Sequence, residues 1–257
     1  MTWTIDKIAR IPTGNSILIE GLPGVGNVGK IAVEYLIDKL KAKKIYELRS
    51  NDLPHYVFVN EKNIIELPSI DIYTTKVNGN NILLISGDIQ PTSEVSCHNF
   101  CNKILDTFEK SKGKEIITIG GIALQEVPSN PGMYFTANSI KMLKKYSAGA
   151  KTKRELHEFI GPILGVTGLL PGLAGKRNIP AITILAETFE SPRYIGINGA
   201  RKIIKHLNKK LNLNLKNNKI DKELENSNLD IEDFEEEIFK EEQKVQKPKE
   251  DSLNYIG

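Results

Sequence analysis

The chain alternates between short apolar segments with the character of buried strands and longer segments whose apolar residues recur at helical spacing. SILIEG, residues 16–21, precedes the helical pattern VGNVGKIAVEYLIDKL, and IPAITILAET, residues 179–188, precedes GINGARKIIKHLNKKL. Such alternation is typical of a mostly parallel sheet whose two faces are covered by helices. We therefore predict an α/β fold, a three-layer α/β/α sandwich.

Local signals place several connections within this pattern. Asn78-Gly79 separates IDIYTTKV from NILLIS and predicts a β-hairpin. Thr92 or Ser93 is suited to cap the start of a helix that would run to about Lys110. The short segments YVFVN and IIELP, before this hairpin, add further strand character.

Composition and charge divide the chain into two parts. With 257 residues, 40% of them hydrophobic, it can bury a sizeable core, which excludes a wholly disordered protein. Residues 216–257 hold 13 Asp and Glu against 7 Lys, so that their net charge is −6 and that of the remainder +9. We predict an α/β domain over 1–212 and a flexible, charged tail over 213–257 with a weak amphipathic helix and an apolar tip.

Several classes of protein are disfavoured by the sequence. No apolar run approaches the roughly 18 residues that span a membrane, and MTWTIDKIAR lacks the apolar core of a signal peptide. The two cysteines, Cys97 and Cys101, do not indicate a disulfide framework. We expect a cytoplasmic protein without membrane contact, and the dispersed basic charge favours an acidic protein surface or solvent over nucleic acid.

The stretch GLPGVGNVGK lies between the first predicted strand and helix, where dinucleotide-binding loops lie. Gly24, Gly26 and Gly29 have the spacing of that fingerprint, and Lys30 follows as in a phosphate-binding loop, although Ile31 replaces its hydroxyl residue. One interpretation is a nucleotide-binding or nucleoside-processing enzyme that uses these four residues. The other is that the glycines permit tight packing of helix on strand.

Candidate catalytic or metal-binding residues are few. Cys97 and Cys101, with His98 beside them, share a predicted helix face but supply too few ligands for a metal site. Glu187 and Glu190, with Arg193 nearby, follow the last strand at the edge where α/β ligand sites form, or serve as helix caps and surface ion pairs. We predict no catalytic residue, no metal and no cofactor.

The end of the sequence is apolar after a long polar stretch. Leu253, Tyr255 and Ile256 surround an asparagine, and Gly257 supplies the terminal carboxylate. Apolar side chains beside a free carboxylate suit capture in a pocket with a basic floor. We predict that these four residues bind a partner, the alternative being a tail folded back on its own body.

Four motifs in order resemble the proteasome assembly chaperone family in its archaeal form. They are GLPGVGNVGKIAVEYL, GGIALQEVPSNPGMYFTANS, GPILGVTGLLPGLAGKRNIPAITILAET and GINGARKIIKHLNKKL, and the resemblance spans roughly residues 10–212. This resemblance accounts for the glycine-rich stretch without requiring that it bind a nucleotide.

The resemblance implies a fold similar to that of purine nucleoside phosphorylases without their catalysis, a homo-oligomer with a tetramer as the first assumption, and binding to α-subunits of the core proteasome. A related chaperone subunit is a further implied partner. Archaeal members can end in a hydrophobic-Tyr-any tripeptide that inserts between α-subunits. Here Tyr255 takes the hydrophobic place and Ile256 the tyrosine place, so the sequence meets that pattern in part.

Overall fold

The computed structural model describes residues 3–150, 161–189, 191 and 194–225. The predicted tail tip, Leu253, Tyr255, Ile256 and Gly257, lies outside the described residues, as do Glu190 and Arg193. The chain divides into two units, Met1–Leu215 and Lys216–Gly257. In the second unit residues 217–225 are helical.

Ten strands and five α-helices make up the described part of the first unit. The strands are β1 Trp3–Lys7, β2 Ser16–Glu20, β3 Lys43–Ser50, β4 Phe58–Val59, β5 Ile65–Glu66, β6 Ile70–Val77, β7 Asn80–Gly87, β8 Gly113–Leu124, β9 Met133–Ala137 and β10 Ala181–Phe189. The helices are α1 Val28–Lys39, α2 Glu94–Lys110, α3 Ile140–Ser147, α4 Val166–Lys176 and α5 Ile197–Leu211.

Eight of these strands form one mixed sheet in the order β1-β3-β6-β7-β2-β8-β10-β9. The four central strands, β7, β2, β8 and β10, run parallel to one another, whereas β9 and the other three strands pair antiparallel. Every residue of β2 is buried, as expected for a central strand covered on both faces. The predicted α/β fold is therefore confirmed, with parallel pairing confined to the middle of the sheet.

Helices cover both faces of this sheet. Helices α1 and α5 pack against each other and against β7, β8 and β10, while α2 and α4 pack against each other and against β8. Helix α2 shows why: Cys97, Phe100, Cys101, Ile104 and Phe108 recur at helical spacing and are all buried. They join one apolar cluster with residues of the sheet, which anchors this helical layer.

Two local predictions are confirmed in detail. Asn78 and Gly79, both with positive φ, turn the chain between β6 and β7. The side chain of Ser93 caps α2 by accepting a hydrogen bond from the amide of Ser96, and the helix ends at Lys110. Within the described ranges, no helix combines the length and apolar character that a membrane crossing requires.

Candidate functional site

The carboxyl ends of the four parallel strands form one edge of the sheet, which we call the carboxyl edge. The strands that follow β2 in the chain, β3, β6 and β7, lie on one side of β2 in the sheet. The later strands β8, β10 and β9 lie on its other side. The crevice between β2 and β8 is therefore a topological switch point, where α/β proteins commonly bind ligands. The glycine-rich turn lies at this crevice.

This turn joins β2 to α1 through a 3₁₀ turn, Val25–Asn27. Gly26 and Asn27 have φ values of 60° and 51°, in the left-handed region that glycine and asparagine tolerate best. A Cβ atom on Gly29 would lie 2.4 Å from the carbonyl oxygen of Ile119, and one on Gly26 would lie 2.3 Å from Oγ1 of Thr188. Both glycines are thus required for close packing of this turn and of α1 on β8 and β10.

A cavity of about 510 Å³ opens beside the turn, between the loop that follows β2, the carboxyl-terminal half of β8 and the segment before α4. Its volume lies within the usual range for small-molecule sites. Gly24 and Gly29 line it, and a Cβ on Gly24 would meet no heavy atom within 4 Å. Of the four predicted loop residues, these two border the cavity.

The chemistry of the cavity wall is apolar. Leu22, Ile122, Ile163 and Leu185 contribute aliphatic surface, and the polar side chains of the described wall are those of Gln90 and Thr167. None of the described lining residues carries an ionisable side chain. This wall suits an uncharged ligand with hydrogen-bonding edges better than it suits a phosphate group.

Lys30 is directed to the end of β7. Its Nζ donates a hydrogen bond of 3.1 Å to the carbonyl oxygen of Gly87 and lies 3.4 Å from the carboxylate of Glu34. Asp88 is 4.0 Å away. The lysine therefore joins α1 to the end of β7 and is not among the residues that line the cavity.

Glu20, at the end of β2, is a buried carboxyl group that sequence reasoning did not single out. Its Oε1 accepts a hydrogen bond of 3.0 Å from the amide of Leu22, while Oε2 has no partner in the described part of the chain. Burial raises the pKa of Glu20 to about 8, because a carboxylate is poorly solvated there. The one signal in the sequence was an acidic residue closing an apolar strand.

The two thiols behave as small apolar groups. Cys97 and Cys101 are both buried and free, and the hydrogen bond that Cys101 donates to Cys97, together with burial, raises the pKa of Cys101. Within the described residues, no three His, Cys, Asp or Glu side chains are arranged to hold a metal ion. The pair is part of the apolar cluster under α2.

Glu187 lies within β10, not after it, which corrects the sequence-based placement. Its carboxylate accepts hydrogen bonds from the amide of Gly132 at 2.5 Å and from the hydroxyl of Tyr134 at 2.7 Å. These bonds fix the start of β9 to β10. Glu187 therefore has a structural role in the sheet, because it holds these two strands together.

His206 on α5 is the histidine with the most perturbed environment among the described residues. Its ring centre lies 5.1 Å from that of Phe135, and its Nε2 has no hydrogen-bond partner in the described structure. Burial, with a contribution from the charge of Lys210, lowers the pKa of His206 to about 4. It lies on the helical layer of α1 and α5, away from the residues that line the cavity.

Comparison with known proteins gives a consistent result. The model of the PAC2 family matches residues 18–246. The uncharacterized protein MJ1210 of Methanocaldococcus jannaschii is 28% identical over 255 residues, which cover 96% of this chain and 94% of that protein.

Two solved structures are similar over nearly the whole chain. Pyrococcus furiosus PbaB, an archaeal proteasome activator, is 27% identical with a TM-score of 0.80, covering 91% of this chain and 99% of PbaB. PbaA of the same organism, an archaeal homolog of proteasome-assembly chaperone, is 23% identical with a TM-score of 0.73, covering 94% and 96%. The resemblance that the sequence motifs predicted is confirmed.

Proposed function

The chain belongs to the PAC2 family, and from that membership we propose that it is a proteasome-binding factor, an assembly chaperone or an activator. It engages α-subunits of the core particle through its folded body and its C-terminal tail. The observation that carries this proposal is the similarity to PbaB, an archaeal proteasome activator, over 91% of this chain.

The composition of the tail supports its part in the proposal. Residues 216–257 carry a net charge of −6, and after the mainly charged and polar residues 240–252 apolar side chains return at Leu253, Tyr255 and Ile256. A charged tether of this kind stays solvated, while the apolar residues gain from burial in a pocket on another protein. Leu253, Tyr255, Ile256 and Gly257 are the proposed contact residues.

Several tails on one homo-oligomer would bind together more tightly than one tail. Linking weak contacts raises the apparent affinity by about 10²- to 10⁴-fold when the geometry allows simultaneous binding. The acidic residues of the tether add a long-range attraction to basic pocket rims that salt weakens. We expect each tail to bind weakly and reversibly.

The test compares the full chain with a chain ending at Gln243 for binding to purified proteasome α-subunits. We expect the truncation to weaken binding at least 100-fold, and Tyr255→Ala to account for about 10-fold of that loss. Ser252→Ala, an alanine substitution just before the apolar residues, is the control and should bind as the unmodified chain does.

Two results would contradict the proposal at different levels. If the truncated chain binds as tightly as the full chain, the tail does not contribute to binding and the folded body makes the contact. Absence of binding by the full chain, at low and at physiological salt, would remove the proteasome itself from the account.

A second candidate function, binding of a nucleoside or nucleotide, is favoured by the cavity beside Gly24 and Gly29. Because the described wall is uncharged, a nucleoside fits it better than the corresponding triphosphate. Thermal unfolding with adenosine and with ATP tests this directly, since a ligand at 100 times its Kd adds about 2.7 kcal/mol to stability. No change with either compound would count against this function.

A further inference from the structure

The four parallel strands begin at the side of the sheet opposite the carboxyl edge, which we call the amino edge. Helices α1, α2, α4 and α5 end there, because each of them leads from the carboxyl edge back to the amino edge. The side chain of Asn78, in the turn before β7, donates a hydrogen bond to the carbonyl oxygen of Asn212, directly after α5. Helix α3 lies at the same edge, because Lys145 pairs with Glu115 at the start of β8.

Exposed lysines are concentrated along this edge. Lys43 is the first residue of β3, and Lys76 lies near the end of β6. Lys110, Lys112 and Lys114 follow one another from the last turn of α2 into β8. The strands and their connections thus contribute five lysines to the amino edge.

The helices contribute three more exposed lysines. Lys144 lies on α3, Lys176 at the end of α4 and Lys209 in the last turn of α5. We call these three, with the five above, the edge lysines. Within the part of the chain that the structure describes, none of the eight forms an ion pair with a carboxylate.

The acidic side chains of the amino edge are already matched by other basic groups. In the described first unit these groups are Asp38 with Lys39 and Lys41, Asp106 and Glu109 with Arg177, and Glu115 with Lys145. Four acidic and four basic side chains balance there, so the eight edge lysines are in excess. Each helix end carries about half a negative charge, so four ends offset about two lysines and leave about six uncompensated charges.

The carboxyl edge has the opposite character. Asp88, Glu94 and Glu126 lie on the segments that follow β7 and β8, and Glu61 and Glu66 lie on the β4–β5 hairpin. Among the described residues of this edge, Asp and Glu outnumber Lys and Arg. The folded body is therefore a dipole that directs its amino edge towards a negatively charged partner.

The fold creates this concentration of charge from lysines that are dispersed along the sequence. They range from position 43 to position 209, and this dispersal was the reason for the sequence-based expectation that disfavoured nucleic acid. The proximity of like charges is visible at the end of α5. Burial lowers the pKa of Lys210, and the nearby charges of Lys209 and Lys145 lower it further.

The length of the amino edge suits a nucleic-acid duplex. From β3 to β9 the sheet has six strand spacings of about 4.8 Å, or about 29 Å in all. Double-stranded DNA carries one negative charge per about 1.7 Å, so a segment of this length presents about 17 phosphates. The edge lysines can therefore contact several phosphates at once.

The kind of side chain also favours a duplex over other polyanions. Protein–protein interfaces are poor in lysine, whereas phosphate contacts rely on lysine and arginine. Single strands are bound by stacking of bases on aromatic rings. The exposed aromatic side chains of the described residues, Tyr56 and Phe58, lie on the hairpin at the carboxyl edge.

We propose that the amino edge binds the phosphate backbone of a nucleic-acid duplex, without preference for sequence. The edge lysines supply the contacts, and the acidic carboxyl edge faces away from the duplex. This inference does not depend on the proteasome proposal, because it concerns the folded body and no residue of the tail.

The test is binding of the full chain to a fluorescent 20-base-pair DNA duplex, measured by fluorescence anisotropy at 50, 100 and 200 mM KCl. With about six phosphates neutralised, the affinity should fall about 10³-fold between the lowest and the highest salt concentration. A single strand of the same length and poly-L-glutamate are the competing probes, and both should bind more weakly than the duplex.

Charge reversal locates the contact. Lys114→Glu should weaken binding by at least about 10-fold at 50 mM KCl, because one phosphate contact is worth about that much at this salt concentration. The matched control is Lys62→Glu, which changes the net charge equally at an exposed position of the carboxyl edge and should bind as the unmodified chain does. Lys144→Glu, on a different element, should repeat the loss, and thermal unfolding shows whether each variant is folded.

Several outcomes would overturn the inference. One is absence of duplex binding by the unmodified chain at 50 mM KCl, and another is an equal loss in Lys114→Glu and Lys62→Glu. Tighter binding of the single strand or of poly-L-glutamate would assign the edge to a different partner. Truncation at Gln243 should leave duplex binding unchanged, so failure of the tail proposal has no bearing on this result.

Discussion

Glu20→Gln replaces a buried carboxyl group by an amide. As pH rises from acidic to neutral, the unfolding free energy of this variant should increase relative to that of the unmodified chain. Burial raises the pKa of Glu20 from 4.5 to about 8, while the hydrogen bond from the amide of Leu22 and a smaller contribution from the side chain of Thr167 oppose the shift. Between these two values the folded state keeps a proton that the unfolded state releases. The contribution of Glu20 to stability is therefore complete below pH 4.5 and is lost as pH rises towards 8.

The size of the effect follows from the two pKa values. Each pH unit in this interval costs the unmodified protein about 1.4 kcal/mol of unfolding free energy, or about 3 kcal/mol between pH 5 and 7.5. Glu20→Gln abolishes this titration, although its amide hydrogens, if unpaired, cost about 1–3 kcal/mol at every pH. Between pH 5 and 7.5 the unfolding free energy of the variant should therefore rise by about 3 kcal/mol relative to that of the unmodified protein, which corresponds to about 6–12 °C in Tm.

Urea unfolding followed by circular dichroism at pH 5, 6, 7 and 7.5 provides the measurement. Because the quantity of interest is the difference between two proteins, the titration of other groups such as His206 cancels. Glu61→Gln, at an exposed position in the turn between β4 and β5, is the control for the effect on stability of losing one surface charge. Two stability curves that remain parallel from pH 5 to 7.5 would refute the inference that Glu20 is uncharged in the folded protein.

The remaining predictions concern a glycine pair and a histidine. Gly29→Ala should cost about 2–3 kcal/mol in urea unfolding, because its Cβ would lie 2.4 Å from the carbonyl oxygen of Ile119. Gly24→Ala, which meets open space, is the matched control, and equal losses in both variants would contradict this packing account. Burial lowers the pKa of His206 to about 4. As pH falls from 7 to 5, the unfolding free energy should therefore drop by about 2 kcal/mol, because the unfolded state binds a proton that the folded state excludes. In His206→Leu this acid sensitivity should be absent, and an unchanged drop of Tm from pH 7 to 5 would show that another group is responsible.

Local sequence was sufficient to predict most elements of the fold. The spacing of apolar residues from Cys97 to Phe108 identified α2, and Ser93 identified its start, since both signals depend on neighbours within a few residues. The hairpin at Asn78-Gly79 was likewise predicted from its own dihedral requirements. Strand β1 was not predicted, because Trp3–Lys7 has little apolar pattern and is stabilised by pairing with β3, about 45 residues away.

The glycine-rich turn shows the limit of motif reasoning. Its spacing fitted both a nucleotide loop and a packing device, and only the distances to Ile119 and Thr188 favour the second for Gly26 and Gly29. The direction of Lys30 was equally inaccessible, because its acceptor, Gly87, is 57 residues further along the chain. Neither distance is encoded in the spacing of the motif itself.

The sequence by itself determined that this chain is an α/β protein of a recognisable family with a charged tail, because periodicity, turn residues and composition act locally. Tertiary structure decided that Glu20 is buried without a full set of partners, that the cavity wall is apolar, and that the hairpin of β4 and β5 stands apart from the main sheet. These properties depend on which distant segments come into contact. Burial, and with it the pKa of a carboxyl group or the exposure of an apolar face, is set only when the whole sheet has assembled.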